Sequence, residues 1–233
     1  MRKINKKYKG FSLVELLLTT MILMVIMMLV ATTLNTVIKV SNTTNSKNTA
    51  RSNITYIMDF MSRALGNAEL ADVYLFNSSN VRFLDEGVGG KLTIFSIPLG
   101  STYADGNLGD VAKDGNEIHI KLYGYDDWTC IGWFKDRTNP EYGYLVRTVY
   151  EGEFAADHST CFDEDAILTP MHSFMIDASY FWIEYIVVGD GQNRMFLLDA
   201  KLKPLYWPVG DTFPVTREVS RQAVVSTQAL TWY

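Results

Sequence analysis

The chain has 233 residues, enough for one large domain or for a helix joined to one globular domain. Apolar residues make up 48% and charged residues 20%, proportions of a folded protein and not of a disordered one. The first ten residues hold five of the 21 basic residues and no acid, so the remainder carries 16 basic against 26 acidic residues, a net charge of −10 that repels phosphate backbones and argues against nucleic acid as the main partner.

Arg2, Lys3, Lys6, Lys7 and Lys9 lead into Gly10, and Phe11-Ser12-Leu13-Val14-Glu15 follows. From Leu16 to Leu34 the only polar residues are Thr19, Thr20, Thr32 and Thr33. About twenty such residues, at about 1.5 Å each, cross a hydrocarbon core of about 30 Å, and threonine can return its hydroxyl to the helix backbone. Basic residues before the span and an acidic domain after it predict a cytoplasmic N-terminus and an exterior C-terminal portion. An ordinary secretory signal has a shorter apolar region followed by a small-residue cleavage site. Here the glycine precedes the apolar run, so cleavage there leaves the helix attached.

Residues 35–53 are rich in Asn, Thr and Ser but contain neither Pro nor Gly, so they read either as a continuation of the helix or as a flexible spacer. Ala50, Ile54, Ile57, Met58, Met61 and Leu65 then recur at steps of three and four, a stripe suited to lie on a sheet and ending near Gly66 and Asn67. A continuous helix from Phe11 to Leu65 would be about 80 Å long. Beyond Val73 the period becomes that of strands, expected at 73–76, 81–84, 92–97, 117–123, 130–134, 144–150, 174–188, 194–200 and 215–225. Turn signals such as Asp114-Gly115, Asn139-Pro140 and Asp190-Gly191 separate them, and three prolines between Lys203 and Pro214 read as an ordered loop. The expected fold is α+β, a long N-terminal helix packed on a mainly antiparallel β-sheet globular domain.

The sequence Lys-Gly-Phe-Ser-Leu-Val-Glu-Leu at positions 9–16 resembles the class III signal of type IV prepilins and pseudopilins. The resemblance implies a leader of residues 1–10 removed after Gly10 by a prepilin peptidase, and methylation of the new N-terminus at Phe11. It implies a transmembrane and assembly helix over 11–40, its continuation against a sheet over 41–70, and a β-rich ectodomain over 71–233. Glu15 becomes the fifth mature residue. A carboxylate inside an apolar span costs roughly 2.5–3.5 kcal/mol at a bilayer centre and less near its edge, so it needs a partner. The resemblance supplies one, the α-amine at Phe11 of a neighbouring subunit. The implied partners are other pilin or pseudopilin subunits, the peptidase, an assembly-platform membrane protein, and the lipid bilayer before assembly. The implied location is the cytoplasmic membrane and then a filament at the envelope or surface. Many major pilins carry glycine and proline where Met24 and Thr32 stand here. Their replacement, with the large ectodomain and the stripe leading into Met61-Ser62-Arg63-Ala64-Leu65, resembles minor pilins or J-type minor pseudopilins. The reading from another class is an anchored exterior adhesin or lectin-like domain that does not polymerise.

Cys130 and Cys161 both fall in the exterior portion, where an oxidising compartment favours a disulfide over two buried thiols. Closing a loop of about 30 residues contributes roughly 3–4 kcal/mol in the chain-entropy model. Some pseudopilins bind calcium, and Asp163-Glu164-Asp165 or Asp105-Gly106-Asn107 with Asp110 offer oxygen ligands. No complete calcium loop is present, so no cofactor or metal is assigned and Ca2+ stays open. His119, His158 and His172 lack metal-ligand spacing. There is no Gly-x-Ser-x-Gly elbow, and the Gly87–Lys91 run has Asp85 and Leu92 where a phosphate loop needs glycine and Ser or Thr. A structural protein, not an enzyme, is expected. Trp128, Trp133, Trp182, Tyr185 and Trp207 read as core or as a sugar- or protein-binding surface, which their exposure decides.

Overall fold

A computed structural model of the chain describes residues 10, 12–78, 82–86, 91–96, 113–152, 158–163, 165–188, 193–205 and 217–227. Contacts divide the chain into two compact units, 1–45 and 46–233. The helix α1 runs over Leu13–Gly66, so residues 35–53 are helical and not a spacer. In the first unit α1 buries nothing. In the second, Ala50, Ile54, Ile57, Met58, Met61, Ala64 and Leu65 are buried on one stripe, as the spacing predicts. The helix stops at Gly66, where the Asn67 N–H donates to the Arg63 and Ala64 carbonyls.

The fold is α+β as expected, and its mostly antiparallel strands form two sheets. The first contains β1 (Ala68–Phe76), β2 (Arg82–Glu86), β3 (Leu92–Ser96), β5 (Glu117–Leu122), β6 (Trp128–Asp136), β7 (Gly143–Tyr150) and β8 (Thr169–Pro170). Its strand order is β1-β5-β6-β2-β3, with β7 on the other side of β6 and β8 beyond it. All pairings are antiparallel except β2 with the end of β6, through Phe83 with Lys135 and Leu84 with Asp136. The second sheet, β11-β10-β9-β4, is antiparallel throughout and contains β4 (Lys113–Gly115), β9 (Ile176–Val188), β10 (Asn193–Pro204) and β11 (Val219–Ser226). A single helical turn, α2 (His158–Cys161), covers part of the first sheet. The short β4, β8 and α2 were not legible, because two to four residues carry no periodicity. Lys203 and Pro204 close β10, the Leu205 N–H donates to the Met175 carbonyl at 2.9 Å, and residues 206–214 of the expected proline-rich loop lie outside the described residues.

The helical stripe packs with the inner faces of both sheets into one core, including Val73, Ile118, Ile120, Ile131 and Leu145 from the first and Phe181, Ile183, Phe196 and Leu198 from the second. Asn53 and Thr55 on α1 tie it to the rest, accepting from the Ser173 N–H and the Arg221 guanidinium, each at 2.9 Å. The outer face of the first sheet has its own core of Leu84, Leu92, Ile94, Trp128, Cys130, Phe134, Val146, Cys161 and Phe162. The central strands β5 and β6 are therefore covered on both faces.

The sheets meet at two glycines. β4 hands over to β5 at Gly115-Asn116, where a Cβ on Gly115 would overlap the Phe76 carbonyl. The buried Asn116 side chain stitches this corner, accepting from the Ser78 N–H at 2.8 Å and donating to the Trp133 carbonyl. At the second junction, the Gly143 N–H and Trp133 Nε1 donate to Asp177 Oδ1 at 2.8 Å and to the Ala178 carbonyl at 2.6 Å. A Cβ on Gly143 would strike both that carbonyl and the indole. Gly143→Ala should therefore lower stability by about 1–3 kcal/mol, the usual range for overpacking, seen as a lower urea midpoint with an unchanged slope.

Nearby, His172 is buried with both ring nitrogens engaged. Nε2 accepts from the Leu145 N–H at 3.1 Å and Nδ1 lies 3.0 Å from the Ser173 carbonyl, so the proton sits on Nδ1. Burial holds the imidazole below its ordinary 6.5, outweighing the backbone hydrogen bonds with Ser173 and Ile176 that favour the charged form. Below 6.5 the unfolded chain takes up a proton that the folded one refuses, so stability falls as pH falls towards the folded-state value. Unfolding measured from about pH 7.5 to about pH 5 should show this loss, and His172→Asn should flatten it in that window.

Candidate processing and assembly site

Gly10 stands just ahead of α1, with nothing within 4 Å of where a Cβ would be. Phe11 lies outside the described residues. Ser12 is the N-cap: its carbonyl accepts from the Leu16 N–H at 3.1 Å, and its own N–H donates to Glu15 Oε2 at 3.1 Å. Ser12-x-x-Glu15 thus closes the carboxylate half of a capping box and places a negative charge at the positive end of the helix dipole. Glu15 is the only ionisable side chain between Phe11 and Ile38.

The helix beyond it is long and apolar enough to cross a membrane, and its large apolar side chains from Leu13 to Val40 are exposed. Thr19, Thr20, Thr32 and Thr36 return their hydroxyls to carbonyls one turn back, at 2.9, 2.8, 2.9 and 2.9 Å, and Thr33 bonds the Leu29 carbonyl. No hydroxyl hydrogen of these threonines is left facing outward, so over residues 16–34 the surface presented to lipid or to another helix is essentially hydrocarbon.

In the second unit Cys130 on β6 and Cys161 on α2 form a disulfide across a separation of 31 residues. Sequence spacing missed what surrounds it. β5 carries apolar Ile118 and Ile120 on one face, but its other face is buried too and brings in Glu117 and His119, with His119 opposite Cys130. Arg82 from β2 meets them, its Nη1 lying 2.7 and 2.8 Å from the two Glu117 oxygens, while His119 Nε2 is 3.0 Å from Oε1. Burial pushes the Glu117 carboxyl up, but the His119 hydrogen bond and the Arg82 charge, with further help from His119 and Ser78, outweigh it and hold the group below its ordinary value. His119, Cys130 and Cys161 also bring three metal-ligand atoms within 4.8 Å of one another. Here the two sulfurs are bonded to each other. Of the calcium candidates, Asp163 and Asp165 are described and exposed, whereas Glu164, Asp105, Asn107 and Asp110 lie outside the described residues. Trp128, Trp133 and Tyr185 are core, Trp182 is half-buried, and Trp207 lies outside the described residues.

Residues 5–31 match the family model for the prokaryotic N-terminal methylation motif. Searches of the curated proteins and of the solved structures found no match to the chain. The matched stretch spans Gly10, Phe11 and Glu15, and it supports a type IV pilin-like class III signal and a type IV pilin-like subunit. The exposed apolar helix that begins within it at Leu13 is consistent with a single-pass membrane anchor.

Losing one member of a buried ion pair strands the other. Glu117→Ala should cost about 3–5 kcal/mol in unfolding experiments, and replacing the pair together by Arg82→Met with Glu117→Leu should recover much of that loss.

Proposed function

We propose that the chain is a structural subunit, a minor pilin or pseudopilin, of a type IV pilus, type II secretion or DNA-uptake filament. The observation that carries this reading is the methylation motif over residues 5–31, whose part from Leu13 onward lies on a helix with a single carboxylate in an otherwise apolar stretch up to Ile38. In this reading a prepilin peptidase removes residues 1–10, Phe11 is methylated, and residues 11–40 hold the subunit in the bilayer with its ectodomain outside. An assembly-platform protein then feeds it into a filament of like subunits. The carboxylate at Glu15 begins with one partner, the Ser12 N–H of its own chain. A neighbour's positive Phe11 α-amine is a stronger partner for it in a low-dielectric setting, because charge-assisted hydrogen bonds are roughly twice as strong as neutral ones. Residues 41–70 and the ectodomain then supply lateral or tip contacts.

Intact mass and N-terminal sequencing of membrane and sheared surface fractions test this. The expected mature chain begins at Phe11 and carries one extra methyl group. Glu15→Ala should still be inserted and cleaved but be lost from the sheared fraction. An uncut chain starting at Met1 and confined to the membrane would sink the reading in favour of an anchored binding domain.

A further inference from the structure

The outer face of the second sheet is unusual for a solvated surface. Along β9, Phe181, Ile183 and Tyr185 enter the core, while Tyr180, Trp182 and Glu184 point the other way and are half-buried or exposed. The Tyr180 and Trp182 rings lie 6.4 Å apart and within 18° of parallel, so two successive outward positions of one strand carry similarly oriented aromatic surfaces. Around them the charge is negative. Asp114 on β4 stands directly opposite Glu184 on β9, and like charges in that relation are destabilising unless something offsets them. Asp199 on β10 stands opposite Trp182 and next to Gln222 on β11.

The hydrogen bonds leave acceptors over. Trp182 Nε1 donates to Asp114 Oδ2 at 3.3 Å, and Gln222 Nε2 donates to Asp199 Oδ2 at 3.1 Å. Asp199 Oδ1 is shielded from water yet has no hydrogen-bond partner among the described residues. On this face Lys201 lies 5.3 Å over the Tyr180 ring and 4.0 Å from Glu218. Asp114, Glu184 and Asp199 have no such partner among the described residues. The Tyr180 hydroxyl registers the same field, raised above its ordinary value first by burial and then by the charges of Asp199 and Asp114.

We infer that this face binds an extended glycan carrying free, protonated amino groups. Flat polymers that stack on aromatic faces include nucleic acids and glycans, and the surplus carboxylates repel the phosphates of the first. A neutral glycan would stack but leave the charge unused. An aminoglycan uses both features: its apolar ring faces pack on Tyr180 and Trp182, and its ammonium and hydroxyl donors reach Asp199, Asp114 and Glu184. The assignment is independent of whether the chain polymerises.

The test is calorimetric titration of the full-length protein in detergent with a glucosamine hexamer, its fully N-acetylated counterpart, and hexalysine. The glucosamine hexamer should bind, weakening by about tenfold in Asp199→Asn and again in Trp182→Ala, and weakening as salt rises through about 0.5 M. Asp199→Asn is nearly isosteric and lies outside the core, and thermal unfolding of each variant verifies that it is folded. Absence of binding by the folded wild-type protein would overturn the assignment. So would equal binding of the acetylated hexamer, equal binding of hexalysine, or undiminished binding by folded Trp182→Ala.

Discussion

A strand covered by apolar layers on both faces has no solvent in which to leave a charge, and β5 carries Glu117 into that position. Arg82 and His119 must therefore be in place before the outer core can close, because an unpaired carboxylate there would cost several kcal/mol. This one requirement fixes much else. It demands that β2 reach back beside the end of β6, which produces the only parallel pairing among the described strands. It also brings His119 against Phe76 and Phe162, and so determines where α2 sits and where Cys161 meets Cys130. The disulfide then secures the excursion between β7 and β8 over a layer whose polar groups are already paired. Polar pairing, the outer core and the covalent link are three descriptions of one packed arrangement.

How much of this was legible in the sequence depends on the range of the interaction responsible. The helical stripe from Ala50 to Leu65 was plain because its period belongs to one element. Most strands were found for the same reason, with β6 longer than expected at both ends and β9 beginning two residues later than its apolar run. The division into two sheets was not found. It depends on Gly115 and Gly143, whose small size matters only because other strands press against them. The alternation Glu117-Ile118-His119-Ile120 suggested one wet face, and only the arrival of β2, β3 and α2 from elsewhere in the chain makes that face dry. Similarly, His119 sits opposite Cys130 through strand register, which no linear spacing reveals.

At the N-terminus the situation is reversed. There the informative features are local: a glycine before the apolar run, a serine three residues ahead of the single acid, and no other charge until Lys39. The structure adds that the acid and the serine hold each other, so the carboxylate has a partner before any second chain arrives. The chain thus separates its chemistry by position. Its first unit offers hydrocarbon and one carboxylate, and its second offers a doubly layered core and a charged, aromatic outer surface.

The inward-turned threonines of α1 have a consequence for how such a shaft meets its neighbours. Since each hydroxyl already serves its own backbone, no threonine along the apolar flank offers a directional hydrogen bond to a neighbour. Rods with such flanks meet through the fit of their side chains alone, without a polar contact to fix the register. The one ionisable group on that flank before Lys39 is Glu15, so a charge placed near the start of the rod stands out against a hydrocarbon background.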